Sequence, residues 1–89
     1  MNYKIIICRI IEKILSYQEK VITLERFLDD TIGLYNIIEK DASLNMKKDF
    51  HTYWDILEEF FATGTEISYT NKIYNEVLPG FIDIMKKYI

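Results

Sequence analysis

Apolar residues recur every three or four positions in four stretches of this chain, and this spacing constrains the fold more than any other feature. At that spacing, apolar side chains share one face of an α-helix, which must be buried against another element. Three glycines and one proline interrupt the 89 residues, far fewer than turn-rich β proteins or disordered chains contain. We therefore predict one all-α domain over residues 1–89, an antiparallel four-helix bundle with short connections.

The first predicted helix runs from about Tyr3 to Tyr17. Its apolar face comprises Ile7, Ile10, Ile11, Ile14 and Leu15. Ile5, Ile6 and Cys8 add apolar side chains beyond that face, so we expect a helix contacted on several sides, with Cys8 buried. The β-branched residues over Tyr3–Cys8 also fit a strand. No partner strand is evident, however, and a lone strand leaves backbone groups unpaired.

The second helix is predicted to begin after Thr23, whose side chain can cap the first free N–H groups. Ile22 before the cap and Phe27 four residues into the helix match a hydrophobic staple. Gly33 lies mid-helix, where glycine costs about 1 kcal/mol relative to alanine. We expect a neighbouring helix to approach closely at Gly33, or a kink there.

The third helix is predicted from about Met46 to Ala62. Ser43 or Asn45 would cap its start, and Gly64 suits the residue just past its end. His51 precedes Asp55 by four residues, so the two side chains can form an exposed pair on this helix.

The fourth apolar stretch begins near Thr65 or Thr70, either of which could cap it. Helical spacing continues to the end of the chain. Proline has no N–H group and its ring clashes with the preceding turn of a helix. We therefore expect the last helix to be kinked or broken at Pro79-Gly80.

Acidic residues are concentrated in one part of the chain, whose net charge is −3. From Asp49 to Glu66 there are five acidic residues and no lysine or arginine. Nucleic-acid binding depends on neutralising phosphates with basic residues, so this sequence argues against direct contact with nucleic acid. The acidic run is either a solvated helix face or a surface for a basic partner.

The residues needed for catalysis or metal binding are scarce. One cysteine and one histidine are too few for a zinc site built from protein ligands alone. Cys8 and His51 are the only thiol–imidazole combination, and Cys8 lies in the most apolar stretch, where its thiolate is disfavoured. No glycine motif that cradles phosphate is present. We expect a protein that is not an enzyme, with no catalytic residues, no cofactor and no metal.

The N-terminal apolar run, residues 5–8, is too short for a signal peptide or a membrane span. A single cysteine also rules out an internal disulfide, which suits a reducing compartment. We expect a cytoplasmic protein that does not bind membranes.

Recognition of a partner is the remaining kind of activity that the sequence favours. Carboxylates on the third helix offer negative charge, and neighbouring aromatic side chains offer large, rigid contact area. The predicted partner-binding residues are Tyr53, Trp54, Asp55, Glu58, Glu59 and Glu66. Tyr69 and Tyr74 lie nearby in the sequence. Such a surface would suit a protein that covers the basic active site of an RNA-binding enzyme.

The stretch Ile10–Tyr35, IIEKILSYQEKVITLERFLDDTIGLY, resembles the start of small helical immunity proteins that neutralise bacterial toxins. These include immunity proteins paired with colicin-D-like and contact-dependent growth inhibition nucleases. The shared elements are an apolar helix, a polar turn, the step Ile22-Thr23 and the early Phe27. The family usually has glycine in the turn, where this chain has residues 17–20, YQEK.

The resemblance implies a bacterial, cytoplasmic inhibitor that binds a cognate toxin through protein–protein contact. The toxin implied by the family is a nuclease acting on tRNA. The free protein would be a monomer or a homodimer. The alternative is a helical adaptor or subunit of a larger assembly, without enzymatic activity, whose apolar residues cover a permanent interface.

Overall fold

The computed structural model describes residues 3–89, and every regular element in that range is helical. The helices are α1 (Lys4–Gln18), α2 (Leu24–Ile38), α3 (Leu44–Ala62) and α4, whose three joined pieces are Thr70–Lys72, Ile73–Val77 and Leu78–Lys86. Short 3₁₀ turns over Glu39–Asp41 and Ile67–Tyr69 stand in two of the connections. The predicted all-α four-helix bundle is confirmed.

The four helices surround one core. Helices α1 and α3 each pack against α2 and against the Leu78–Lys86 piece of α4. Large side chains from all four helices are fully buried there, among them Phe27, Phe50, Phe81, Ile10 and Leu57. The molecule measures 39 × 22 × 20 Å. One end, which we call the loop end, carries the α1–α2 and α3–α4 connections; the opposite end, which we call the terminal end, carries the α2–α3 connection, the start of α1 and the end of α4.

Helix α1 buries one stripe and exposes the opposite side. Its buried residues, Ile7, Ile10, Ile14 and Tyr17, follow the three- and four-residue spacing of a single face. Cys8 and Leu15 are exposed. The expectations of a helix contacted on several sides and of a buried Cys8 are therefore wrong, because α2 and α4 cover only one side of α1.

Helix α2 begins as predicted and differs from the prediction at its glycine. The Thr23 hydroxyl accepts a hydrogen bond from the Arg26 backbone N–H at 3.2 Å, and Phe27 is fully buried. Gly33 is exposed, and a Cβ added there would meet no atom within 4 Å. Neither close helix approach nor a kink explains Gly33, since α2 is one uninterrupted helix.

Helix α3 starts two residues earlier than predicted. The Ser43 hydroxyl accepts a hydrogen bond from the Met46 N–H at 3.1 Å, so Ser43, not Asn45, is the cap. The helix ends before Gly64, which has a φ of +67°. This left-handed conformation costs glycine little, which explains the termination at the predicted residue.

The end of α1 has the same geometry with a different residue. The Val21 N–H donates to the Ser16 carbonyl and the Lys20 N–H donates to the Tyr17 carbonyl, the two bonds of a Schellman motif. Lys20 therefore takes the left-handed position, with a φ of +63°. A residue with a Cβ is disfavoured there by about 1–2 kcal/mol.

Helix α4 is irregular just before its proline. The five residues Ile73–Val77 form a π-helix, and Pro79 follows near the start of the Leu78–Lys86 piece. The π-helical turn before Pro79 is wider than an α-helical turn. It therefore requires no hydrogen bond from the proline nitrogen, and it avoids the clash of the proline ring with the preceding turn. Neither threonine caps α4: Thr70 is its first residue and donates its hydroxyl proton to the Ile67 carbonyl at 2.9 Å.

None of the helices in residues 3–89 is both long enough and apolar enough to cross a membrane.

Candidate partner-binding surface

Three of the predicted partner-binding residues form what we call the acidic ridge: Asp55, Glu58 and Glu59 on the outer side of α3. All three are exposed. They lie three and four residues apart, so they point away from the buried face of the helix. His51 Nδ1 lies 3.0 Å from Asp55 Oδ1. Glu58 and Glu59 form no ion pair within residues 3–89.

Trp54 lies on the flank of α3 that faces α2, and its polar group is used inside the fold. The indole Nε1–H donates to the Thr31 hydroxyl at 3.1 Å. Thr31 is fully buried and donates its own proton to the Phe27 carbonyl at 2.7 Å. The half-buried Trp54 ring therefore fixes α3 against α2 and leaves only part of its surface for a partner.

Tyr53 lies on the other flank, against α4. Its ring stacks on Phe81 with a centroid distance of 5.6 Å. A Cβ added at Gly80 would lie 2.8 Å from the Tyr53 ring, closer than real atoms approach. The close approach that we predicted at Gly33 therefore occurs at Gly80, where the absence of a side chain makes room for Tyr53.

Glu66 does not belong to the acidic ridge, because its carboxylate is hydrogen-bonded within the fold. Its carboxylate accepts a hydrogen bond of 2.6 Å from the hydroxyl of Tyr17 in α1. Burial, and then this hydrogen bond, raise the pKa of Tyr17 far above its ordinary value. The Tyr17 ring also stacks on Tyr74 at 5.8 Å. Glu66 thus ties the α3–α4 connection to α1, and its charge is partly committed within the molecule.

A surface groove of about 480 Å³ runs beside the acidic ridge, between α3 and the start of α4. Phe60 and Tyr69 stack on one another along it, with a centroid distance of 5.0 Å. Ile56, Glu59 and Lys72 also line the groove. An aromatic wall next to a carboxylate can accommodate a long side chain with an apolar stem and a cationic head.

Several exposed apolar residues near this surface were not among the predicted site residues. Ile67 is 88% exposed and Val21 is 72% exposed, and Phe61 is also exposed. The exposure of Ile67 could be predicted from the sequence, because Ile67 lies between Gly64 and Thr70, outside any helical repeat. Phe61 follows the helical spacing of the apolar residues of α3, and only the position of its neighbours shows that the apolar face is left open at the loop end.

No known protein family matches this chain, and neither curated protein sequences nor solved structures give a match. Among residues 3–89, no group of three or more His, Cys, Asp or Glu side chains is arranged to hold a metal ion. The structure itself defines the class, a small helical bundle with an exposed acidic ridge and an adjoining groove.

Proposed function

We propose that this protein acts by binding another protein, and that the acidic ridge with its adjoining groove is the contact surface. The observation that carries the proposal is the state of Glu58 and Glu59: both are exposed, and neither has an ion pair within residues 3–89. Uncompensated charge on one face attracts a partner of opposite sign and speeds its association.

The scaffold beneath the ridge supports this role. Trp54 holds one flank of α3 through Thr31, and Tyr53 holds the other through Phe81. A helix fixed on both sides presents its carboxylates in one arrangement. Binding then costs less conformational entropy than it would from a mobile loop.

The identity of the partner rests on the resemblance over Ile10–Tyr35. We propose that the partner is a cognate bacterial toxin, a nuclease acting on tRNA, and that this chain is its immunity protein in the cytoplasm. A nuclease that binds RNA needs a basic surface to neutralise phosphates. The acidic ridge would cover that surface and block access of the substrate, without any catalytic step by this chain.

The test compares the native chain with the triple variant Asp55→Lys/Glu58→Lys/Glu59→Lys as bait for proteins of the producing cell. The captured protein is identified, and its cleavage of tRNA is measured with and without the chain. We expect the native chain to abolish cleavage and the variant to associate at least about tenfold more slowly at low salt.

A matched control carries the same charge change on other exposed acids, Glu12→Lys/Asp29→Lys/Asp83→Lys. This control should associate at close to the native rate. Equal slowing of both variants would show that net charge matters and the ridge does not. A captured protein that cleaves no nucleic acid, or that the chain does not inhibit, would contradict the immunity role.

The alternative function, a subunit of a larger assembly, draws support from the exposed apolar residues. Ile67 and Val21 at the loop end and Leu44 at the terminal end, 68% exposed, would suit a permanent interface. A protein of that kind aggregates or oligomerises at low micromolar concentration when purified alone. A stable monomer at that concentration favours the inhibitor.

A further inference from the structure

Charge is divided between the two halves of the bundle. A plane through the middle of the four helices places residues 12–30 and 54–77 in the half with the loop end. That half holds ten acidic and four basic residues, a net charge of −6. The other half, residues 3–11, 31–53 and 78–89, holds seven basic and four acidic residues, a net charge of +3. The molecule is therefore strongly polarised along its 39 Å axis.

Exposed apolar side chains are concentrated at both ends of the same axis. At the loop end they are Val21, Phe61, Ile67 and Tyr69; at the terminal end they are Ile5, Ile37, Leu44 and Ile89. The two ends are fixed parts of the fold. The Tyr17–Glu66 hydrogen bond joins α1 to the α3–α4 connection at the loop end. At the terminal end, the Tyr88 hydroxyl donates to the Asp49 carboxylate.

We propose that the terminal end of one copy docks on the loop end of another, in a head-to-tail contact. Each end offers aliphatic or aromatic surface, and the two halves of the bundle that carry these ends have opposite net charge. Lys40 and Lys48 are exposed at the terminal end and form no ion pair within residues 3–89. Glu19 and Glu59 are their exposed counterparts toward the loop end. Charge complementarity of this kind fixes orientation as well as attraction.

The size of the ends limits the strength of this contact. Each end measures about 22 × 20 Å, so the contact covers about 400 Å² on each copy, half of the roughly 800 Å² per partner in a standard interface. The association is thus weak and reversible, and it depends on salt. In a head-to-tail pair, one copy keeps a free loop end and the other keeps a free terminal end, so further copies can add.

The test follows the weight-average mass of the native chain by sedimentation, at rising protein concentration up to about 1 mM. We expect the mass to rise beyond that of a dimer at low salt. In about 1 M salt, where the screening length falls to about 3 Å, the apparent association constant should fall at least about tenfold. A native chain that stays monomeric throughout overturns the proposal.

Two variants locate the contact. Lys40→Glu/Lys48→Glu removes the basic end, and Glu19→Lys/Glu59→Lys reduces the acidic one. Each variant alone should stay monomeric, whereas an equimolar mixture should associate again, because the intact acidic end of one variant meets the intact basic end of the other and the two reversed ends are also complementary. The control Glu12→Lys/Asp29→Lys makes the same charge change away from both ends and should associate like the native chain.

Circular dichroism at each step confirms that the variants keep their helices. Association that persists in both single-end variants would show a different interface, such as a symmetric contact through the sides of the bundle, and would overturn the head-to-tail arrangement. This inference does not depend on the proposed function, since it uses no toxin and no inhibition.

Discussion

The flanks of α3 and its outer ridge use neighbouring residues in opposite ways. Trp54 and Tyr53 look suited to a partner, with large rings and polar tips, yet both are engaged with α2 and α4. Glu58 and Glu59, four and five residues further along, contact no cation within 4 Å in the described chain. On this one helix, the flank residues hold the fold, and the ridge residues are left to contact solvent or a partner.

This separation has a measurable consequence. Substitutions on the flanks should change the free energy of unfolding, and substitutions on the ridge should leave it nearly unchanged while altering recognition.

The largest effect is expected at Trp54. Replacing Trp54 by alanine removes a half-buried ring and its hydrogen bond to Thr31, so the free energy of unfolding should fall by about 2–3 kcal/mol. Trp54→Phe keeps most of the ring contact and loses the N–H donor, and should cost about 1 kcal/mol. Urea denaturation followed by circular dichroism measures both. If the alanine variant loses less than about 0.5 kcal/mol of unfolding free energy, Trp54 does not hold the fold and belongs with the exposed ridge residues.

The next effect is expected where Tyr53 packs on α4. Gly80→Ala places a methyl group 2.8 Å from the Tyr53 ring, and such overpacking should lower the free energy of unfolding by about 1–3 kcal/mol. Gly33→Ala is the matched control, because its Cβ meets open space on α2; it should stabilise the protein by up to about 1 kcal/mol. Equal effects of the two substitutions would show that Tyr53 does not hold this flank.

The third prediction concerns Glu66, which we assign to the fold and not to the ridge. Burial and the hydrogen bond to Glu66 raise the pKa of Tyr17 in the folded protein, whereas the unfolded chain loses that proton near pH 10. The contribution of Tyr17 to the free energy of unfolding is therefore complete below about pH 10. Above that pH the contribution is lost by about 1.4 kcal/mol per pH unit.

Tyr17→Phe should remove that part of the alkaline loss, measured by urea denaturation at several pH values. Tyr88 contributes separately, since burial and then its hydrogen bond to Asp49 raise its pKa to about 12. Tyr69→Phe, which alters an exposed side chain, serves as the control. Its free energy of unfolding should change with pH as that of the native chain does. An unchanged slope in Tyr17→Phe would mean that Glu66 does not hold Tyr17 in solution.

The smallest effect is expected on the ridge itself. The variant Asp55→Asn/Glu58→Gln/Glu59→Gln removes three exposed charges and should change the free energy of unfolding by no more than about 0.5 kcal/mol. Loss of the His51–Asp55 pair and relief of repulsion between Asp55 and Glu59 partly offset each other. A loss above about 1 kcal/mol in thermal or urea denaturation would show that the ridge is part of the structural support.

Local signals in the sequence predicted much of the fold. Thr23 and Ser43 cap their helices and Gly64 ends α3, because each acts through backbone groups within four residues. The four helices and the irregularity near Pro79 follow from the same short-range rules. The exposed carboxylates of the ridge were also predictable, since they lie opposite a clear apolar face.

Long-range contacts account for what the sequence did not reveal. Tyr17 and Glu66 are 49 residues apart, and nothing near either residue indicates that they meet. Gly33 and Gly80 look alike in a helical stretch, and only the position of Tyr53 distinguishes them. Cys8 was misplaced for a related reason: α1 is apolar on more than one side, and only its neighbours decide which side is covered.

The uneven charge along the bundle also affects how the protein should behave during purification. An anion-exchange resin attracts the half with a net charge of −6. The molecule can therefore adsorb through that half, with its basic half directed away from the resin. Its retention should then exceed that of a protein with a uniformly spread charge of −3. The same protein should also be held weakly by a cation exchanger at low salt, through the opposite end.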